Sequence, residues 1–305
     1  MHVCVCIVGY RNAPEIQGCL DALSGCDHHD FQVVICENGG SQAYEALVTL
    51  LPGSLNGGQP VTILAAPGNL GYAGGVNHCI TSASSADAWW IVNPDTRPQS
   101  AALGALVERL QRGDCEAAGS LLYHADGKVQ AYGGRWKPWM ARCESIGHGR
   151  NSADPIEADR VEAGMNYLLG ASMLMSRQYV EAVGLMREDY FLYAEEVEWC
   201  LRGRHLGMRL GFAPGSRVLH GQGGTTGSAR AMKQRPRLPI YLDERNKLNV
   251  VRDTSPAKLP VAVTLSLAML FLRFARRGAW KQLGYGLSGW MAGLRNKRGI
   301  PHGMG

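Results

Sequence analysis

No two of the nine cysteines stand at C-x-x-C spacing; they fall at Cys4, Cys6, Cys19, Cys26, Cys36, Cys79, Cys115, Cys143 and Cys200. An odd number at irregular intervals excludes a disulfide framework and a zinc site of ordinary ligand spacing. Several lie in apolar runs, Val3-Cys4-Val5-Cys6-Ile7-Val8 above all, so reduced core thiols are expected. No stretch reaches the ~18–20 uncharged apolar residues that cross a bilayer. The first residues carry neither a basic n-region nor a small-residue cleavage site, and the expectation is a cytosolic-side protein. G-x-G-x-x-G is missing after the first apolar run, which ends Val8-Gly9-Tyr10-Arg11-Asn12, and the Gly68/Gly71/Gly74 series has the wrong spacing. G-x-x-x-x-G-K-[ST], H-E-x-x-H and G-x-S-x-G do not occur. Nicotinamide chemistry, P-loop hydrolysis, zinc proteolysis and serine hydrolysis are therefore disfavoured.

Charged residues are few, 19% of 305, against 46% hydrophobic ones, so the chain can bury a large core. The charge is also uneven. Residues 1–230 hold 17 Lys/Arg against 23 Asp/Glu, while residues 231–305 hold 14 against 3, with no acid after Asp253. The last quarter calls for a negative partner such as anionic lipid, a phosphorylated substrate or nucleic acid.

What is present is an alternation. Apolar runs at His2–Val8, Phe31–Cys36, Val61–Ala65 and Ala88–Val92 suit strands buried on both faces. Between them, Pro14–Leu23, Gln42–Leu51 and Gly75–Ala83 have helical spacing, with Pro14 in a first turn and Ser41 as an N-cap. This order predicts a doubly wound α/β sheet with ligands beyond the carboxyl ends of the strands. The tips there read Gly9–Asn12, Glu37–Gly40, the glycine-rich Pro67–Gly75, and Asn93-Pro94-Asp95-Thr96. Residues 121–160 read as loop. Then come an apolar run at Tyr167–Met175, a helix at Tyr179–Val183, the aromatic Tyr190–Tyr193 and an acidic helix from Glu195 to about Leu206. Two short strands, Met208–Phe212 and Ser216–His220, lead into the glycine-rich Gly221–Thr226.

Each motif alone has a plain reading. Asn93-Pro94-Asp95 is a turn, Glu195, Glu196 and Glu198 favour a helix N-terminus, His220 is a satisfied histidine, and Tyr72 and Trp199 are core. Together and in order they resemble family-2 glycosyltransferases of the GT-A fold, in the bacterial rhamnosyltransferase-like branch. The resemblance rests on Val5–Asn12 (T-Y-N loop), Val34–Gly39 (V-D-N-x-S), Asn69–Asn77 (N-L-G-F-A-G-G-N-N), Asn93–Asp95 (D-x-D-like), Leu169-Gly170-Ala171 (T-G-A), Phe191–Glu198 (F-L-Y-x-E-D-V-D) and Val218–Gly221 (V-V-H-H). It covers about residues 3–226 and extends weakly to Arg245-Asn246 within Tyr241–Asn249. Gly9, Arg11, Glu37 and the Glu195-Glu196 pair depart from the family pattern.

The resemblance implies a GT-A-type, mostly parallel sheet flanked by helices as a catalytic domain over 1–230, with a basic helical membrane-interfacial extension over 231–305. It implies inverting transfer of a sugar, such as rhamnose, from a dTDP- or UDP-sugar to a lipid-linked or glycan acceptor. Glu196 falls on the base, with Glu195 a live rival. Tyr10, Asn12, Glu37, Asn69, Gly71, Gly74, Asn77, Asn93 and Asp95 fall on the nucleotide-sugar site, and Asp95 and His220 on Mg²⁺ or Mn²⁺. The Asn69–Gly75 loop is expected to let backbone approach the nucleotide. A nucleotidyltransferase would need a basic glycine-rich loop after strand one, where Arg11 is the only cation. A non-catalytic membrane-recruited module is the other alternative. Nucleic acid is not expected as a partner, because the tail lacks a recognised motif. In the tail, Leu259–Leu272 is 14 uncharged residues, about 21 Å as a helix, too short to span. Phe271, Arg273, Phe274, Arg276, Arg277, Trp280 and Lys281, with Tyr285, Trp290, Arg295, Lys297 and Arg298, suit helices lying on an anionic inner leaflet.

Overall fold

The computed structural model describes residues 1–221 and 231–301. The expected glycine-rich segment after Gly221 lies outside the described residues. The elements run β1 (Val3–Gly9), α1 (Ala13–Leu23), β2 (Phe31–Glu37), α2 (Ser41–Leu50), β3 (Val61–Ala65), α3 (Gly71–Ser82), β4 (Ala88–Val92), β5 (Thr96–Pro98), α4 (Ala102–Gln111), β6 (Ala117–Tyr123), β7 (Val129–Ala131), β8 (Gly134–Lys137) and β9 (Arg142–Ser145). They continue with α5 (Ala158–Gly164), β10 (Ser172–Ser176), α6 (Arg177–Val183), α7 (Glu195–His205), β11 (Leu210–His220), α8 (Arg237–Thr254), α9 (Leu259–Phe274) and α10 (Trp280–Leu294).

The first four strands form where the apolar runs predict them; β1, β2 and β4 are buried on both faces, while β3 is the edge strand and only Val61 of it is buried. Side chains alternate between two cores. Cys4, Cys6, Cys36, Trp89 and Ile91 face one, and Val3, Val5, Ile7, Trp90 and Val92 the other. Helices α1 and α4 cover the second face; α3, α6 and α7 cover the first, joined there by α8, α9 and α10. Residues 231–301 are largely helical, as expected, and share the main core, with Leu248, Phe274 and Trp290 buried in it. Eight cysteines are buried and free, and Cys143 is free and exposed.

The sheet order is β3-β2-β1-β4-β10-β6-β11-β5, with β7 on β6. It is mixed rather than mostly parallel. Strand β10 runs antiparallel to both β4 and β6, β5 antiparallel to β11, and β7 antiparallel to β6. A run such as Tyr167–Met175 carries no sign of direction, and only Ser172–Ser176 of it is strand. Three more expectations are corrected. The two strands near 208–220 are one strand with a register shift between Ala213 and Arg217. The 121–160 region contains β7 and the β8–β9 hairpin. Ser41 is the first residue of α2, and Gly40, at φ 91°, takes the cap position with no side-chain bond.

The helix α3 begins at Gly71, four residues earlier than predicted, inside the glycine run. Gly71 has φ +71°, and a Cβ there would overlap the Phe191 carbonyl. Only glycine meets both demands. A Cβ at Gly75 would stand 2.6 Å from Val8. These glycines let the start of α3 pack closely on Phe191 and Val8.

Candidate active site

A cleft of about 620 Å³ opens at the carboxyl ends of β1 and β4, within the usual range for a small-molecule site. Tyr10, Asn12, Asn69, Gly71, Asn93, Asp95, Glu195, Glu196 and His220 line it, as expected of one site. Glu37, Gly74 and Asn77 are not on its wall.

Glu37 ends β2 and is buried beneath the first tip. Its Oε1 accepts from the backbone N–H of Arg11 (3.0 Å) and Gly39 (2.7 Å). Cβ atoms added at Gly9 or Gly39 would each lie 2.5 Å from a carboxylate oxygen of Glu37. Glycine at 9 thus makes room for the longer acid, and the two departures from the family pattern compensate one another. Its Oε2 is buried with no partner among the described residues. Asn38, part of the second strand-end tip, follows β2 onto the wall; its amide donates to Gly71 O (2.9 Å) and accepts from Leu70 N (3.2 Å). Asn77 faces away: it donates to Met186 O (2.8 Å) and Glu188 Oε1 (2.9 Å) and accepts from Met186 N (3.0 Å). That amide is saturated and holds α3 to the next loop. Gly74 packs against Leu70.

Asp95 leaves the turn after β4, and the antiparallel pairing of Thr96 with His220 brings the two together. Asp95 Oδ1 lies 3.3 Å from His220 Nε2. His220 Nδ1 meets Gln130 Oε1 at 2.8 Å, and Asn93 Nδ2 approaches Nε2 at 3.3 Å. With Nδ1–H donated to Gln130, Nε2–H of the imidazolium form is the group that bonds the Asp95 carboxylate, while the neutral form leaves a lone pair on Nε2. Burial alone would raise the Asp95 pKa, but the His220 contact outweighs it and holds the carboxyl below its ordinary value. Gln130 sits on β7, in the stretch that read as loop, and no local signal marked it. Among the described residues no three His, Cys, Asp or Glu side chains cluster around one point.

The other wall is the start of α7. Residues Phe191, Tyr193 and Ala194 all have φ near +70° (67°, 72° and 69°), conformations that L side chains rarely adopt. The turn they form aims Glu195 and Glu196 into the cleft. Burial pushes the Glu196 carboxyl up to about 7, against opposing backbone hydrogen bonds at the helix start. Burial and the Glu196 charge push Glu195 well above its usual range, and its Oε2 has no partner among the described residues. Tyr72 donates its hydroxyl to Gly170 O (2.7 Å), and burial, then Glu195, Glu196 and Asp95, raise its pKa. It is a wall residue and not simply core, whereas Trp199 is fully buried. The C-terminal segment adds Pro236, Leu238, Pro239, Ile300 and Pro301 to the rim, which the sequence did not foretell.

A GT-A-like sheet with an acidic cleft at its strand ends defines a nucleotide-sugar enzyme class, and comparison with known proteins identifies the family. The model of glycosyl transferase family 2 matches residues 4–184, and the chain belongs to that family. It is a glycosyltransferase of the rhamnosyltransferase-like branch. An N-acetylglucosaminyl-diphospho-decaprenol L-rhamnosyltransferase of Mycobacterium tuberculosis is 25% identical over 256 residues, 73% of this chain and 77% of that protein. A low-salt glycan biosynthesis hexosyltransferase, Agl10, of Haloferax volcanii is 26% identical over 44% of each chain. Among solved structures, a mannosyltransferase from Pyrobaculum calidifontis in complex with GDP-Man and Mn²⁺ matches with TM-score 0.58 at 14% identity, over 97% of this chain and 88% of that one. S. aureus TarS 1-349 with UDP-GlcNAc matches with TM-score 0.54 at 10% identity, over 97% and 93%. Those two likenesses establish the GT-A fold.

Proposed function

We propose that the protein is a divalent-metal-dependent inverting glycosyltransferase that moves a sugar, rhamnose first among the candidates, from a dTDP- or UDP-sugar to a lipid-linked acceptor. The observation that carries it is one cleft holding both a carboxyl poised near pH 7, Glu196, and the Asp95–His220 pair. A group titrating near the working pH serves well as a general base. Glu196 takes the acceptor hydroxyl proton as that oxygen bonds the anomeric carbon from the face opposite the leaving group. The anomeric C–O bond to the nucleoside diphosphate breaks, and its electron pair leaves with the diphosphate. Glu195, more deeply buried and pushed further up by the Glu196 charge, holds its proton while Glu196 acts.

The Asp95–His220 set fits Mg²⁺ or Mn²⁺: a carboxylate oxygen and an imidazole nitrogen lie 3.3 Å apart on the cleft wall, and a neutral imidazole with its Nδ1–H on Gln130 offers Nε2 as a lone pair that a cation could take in place of the Asn93 amide. Such ions take one or two protein ligands and complete their shell with phosphate oxygens. A bound cation would offset the negative charge of the leaving diphosphate. Tyr10, Asn12, Asn38 and Asn69 surround the nucleotide end, with Glu37 fixing the backbone beneath them. The Mycobacterium tuberculosis relative, named for rhamnosyl transfer to N-acetylglucosaminyl-diphospho-decaprenol, supports both the sugar and the lipid-linked acceptor.

The same proposal sets the protein against the inner face of an anionic membrane. Helical structure runs unbroken over Pro256–Arg277, 22 residues with hydropathy 1.6, longer than the uncharged run suggested and long and apolar enough by composition to cross. Ala262, Ser266, Leu270 and Phe274 bind one stripe of it to the core, and Arg273 pairs with Asp243 and Glu244 at 3.0 Å. The opposite stripe exposes Val261, Leu265, Phe271 and Leu272, with Trp280 67% exposed nearby. A helix anchored along one side and apolar on the other suits the interface better than a crossing. Arg298 also pairs internally, with Asp253, so Arg276, Arg277 and Lys281 carry the attraction to lipid.

A donor screen with dTDP-rhamnose and common UDP- and GDP-sugars, read by nucleotide release and by product anomeric configuration, tests this function. Release from one donor with inversion is expected; no release from any donor, or retention, overturns it.

A further inference from the structure

The strained turn ahead of Glu195 needs something to hold it, and one side chain does. Asn246, fully buried on α8, directs its amide nitrogen at three backbone carbonyls: Tyr190 O (3.0 Å), Leu192 O (2.9 Å) and Tyr193 O (2.7 Å). Its Oδ1 accepts from Arg245 Nε at 2.9 Å. A guanidinium can only donate and a carbonyl can only accept, so the orientation of this amide is fixed on both sides. Arg245, 1% exposed, also donates to Tyr190 O (2.9 Å) and Gly299 O (2.6 Å). From the other side, Tyr72 N donates to Phe191 O at 2.7 Å, through the space that Gly71 leaves open.

We propose that Asn246, oriented by Arg245, is a positioning residue for catalysis: its amide holds the Tyr190–Tyr193 backbone in the shape that presents Glu195 and Glu196 to the cleft. The inference rests on the reading of Glu196 as the base. Left-handed backbone at three of four consecutive non-glycine residues persists only where surrounding bonds over-determine it. Three carbonyls converging on one point repel one another unless a donor sits there, and Asn246 supplies that donor. The α8 helix thereby acts on a carboxylate that it need not touch.

Kinetics of the full chain test this. Asn246→Ala is expected to lower kcat by about 10–100-fold, the effect of displacing a catalytic group by an ångström or so, with donor KM within about threefold. Released from its buried setting, Glu196 regains water, so the acid limb of the kcat profile moves down from near pH 7. The titratable groups around Glu196 are Glu195, Tyr72, Asp243, Cys143, Tyr167 and Cys200, and none of them is altered by the substitution. Asn246→Asp keeps the shape but turns the donor into an acceptor, and should be at least as damaging. Ala194→Gly, which removes the left-handed cost at one residue, should restore part of the kcat lost in Asn246→Ala.

A lower melting temperature with unchanged kcat and an unmoved acid limb would reduce Asn246 to a structural residue. So would Asn246→Asp at wild-type kcat, or no recovery from Ala194→Gly. Should Asn246→Ala fail to fold, Arg245→Lys, which keeps the buried charge but loses the fork, carries the same readouts. Glu196→Gln run beside them separates the two readings: if it turns over normally the base assignment fails, whereas if it is dead and Asn246→Ala is normal, only the positioning role fails.

Discussion

The two walls of the cleft treat their acids in opposite ways. Under the wall formed by the first tip, Glu37 is tied by two backbone N–H groups, those of Arg11 and Gly39. On the α7 wall, Glu195 and Glu196 are lifted to high pKa by burial, and their backbone is held from a helix about fifty residues further along the chain. Glu37, with one oxygen fixed by two backbone N–H groups, braces the first tip, whereas burial sets Glu195 and Glu196 to hold protons at higher pH than an ordinary carboxyl. The contrast separates an acid that shapes the cleft from acids suited to proton transfer.

The sharpest way to break the contrast is to neutralise the poised side. Glu196→Gln should lower kcat by roughly 10²–10⁴-fold with donor affinity little changed. A crippled Glu195→Gln beside a normal Glu196→Gln would move the base by one residue. Next, Asp95→Asn should raise the divalent concentration needed for turnover by at least tenfold, the lower end for loss of a metal-site group, and EDTA should silence the wild type. Full activity in EDTA would remove the metal from the mechanism. His220→Ala is expected to weaken metal binding in the same assay.

Stability against pH gives a check that does not depend on turnover. The folded pKa of Glu196 stands above its unfolded value of 4.5, so the folded state holds more protons between about pH 4.5 and 7. Its contribution is fully present below that window and is lost as pH rises through it. Glu196→Gln should therefore gain stability relative to wild type as pH rises from 5 to 8, on the order of 1–3 kcal/mol. A melting-temperature difference that is flat with pH would mean that the carboxyl is not desolvated.

The membrane proposal makes a smaller demand. Leu265→Gln with Leu272→Gln, or Arg276→Glu with Arg277→Glu, should reduce sedimentation with anionic liposomes several-fold, the charge pair only at low salt. Binding equal to wild type in both would leave the exposed α9 face unexplained by lipid. On the structural side of the contrast, Asn77→Ala should cost about 1–3 kcal/mol of stability through its severed loop contacts, with donor KM within about twofold. A large rise in donor KM would return Asn77 to the nucleotide site.

Much of the site was legible because its residues sit directly after strands, and strand ends are where this class of sheet places ligands. Asp95, Tyr10, Asn69 and Glu196 were found on local pattern together with family resemblance. Asn77 and Gly74 were misjudged by the same logic, since a motif does not say which side of a helix a residue faces. Asn38 stood in a strand-end tip without being singled out, and Gln130 and the rim residues Leu238 and Ile300 left no trace, because their roles depend on partners distant in sequence.

By itself the sequence determined the buried strands, the α/β alternation, the acidic balance of residues 1–230 and the basic tail, since each follows from apolar period and charge along the chain. Tertiary structure alone decided the direction of β10, the meeting of His220 with Asp95, the exposed and buried stripes of α9 and the strain before Glu195. Those features come from register and long-range contact, and a linear pattern carries propensity but no partner.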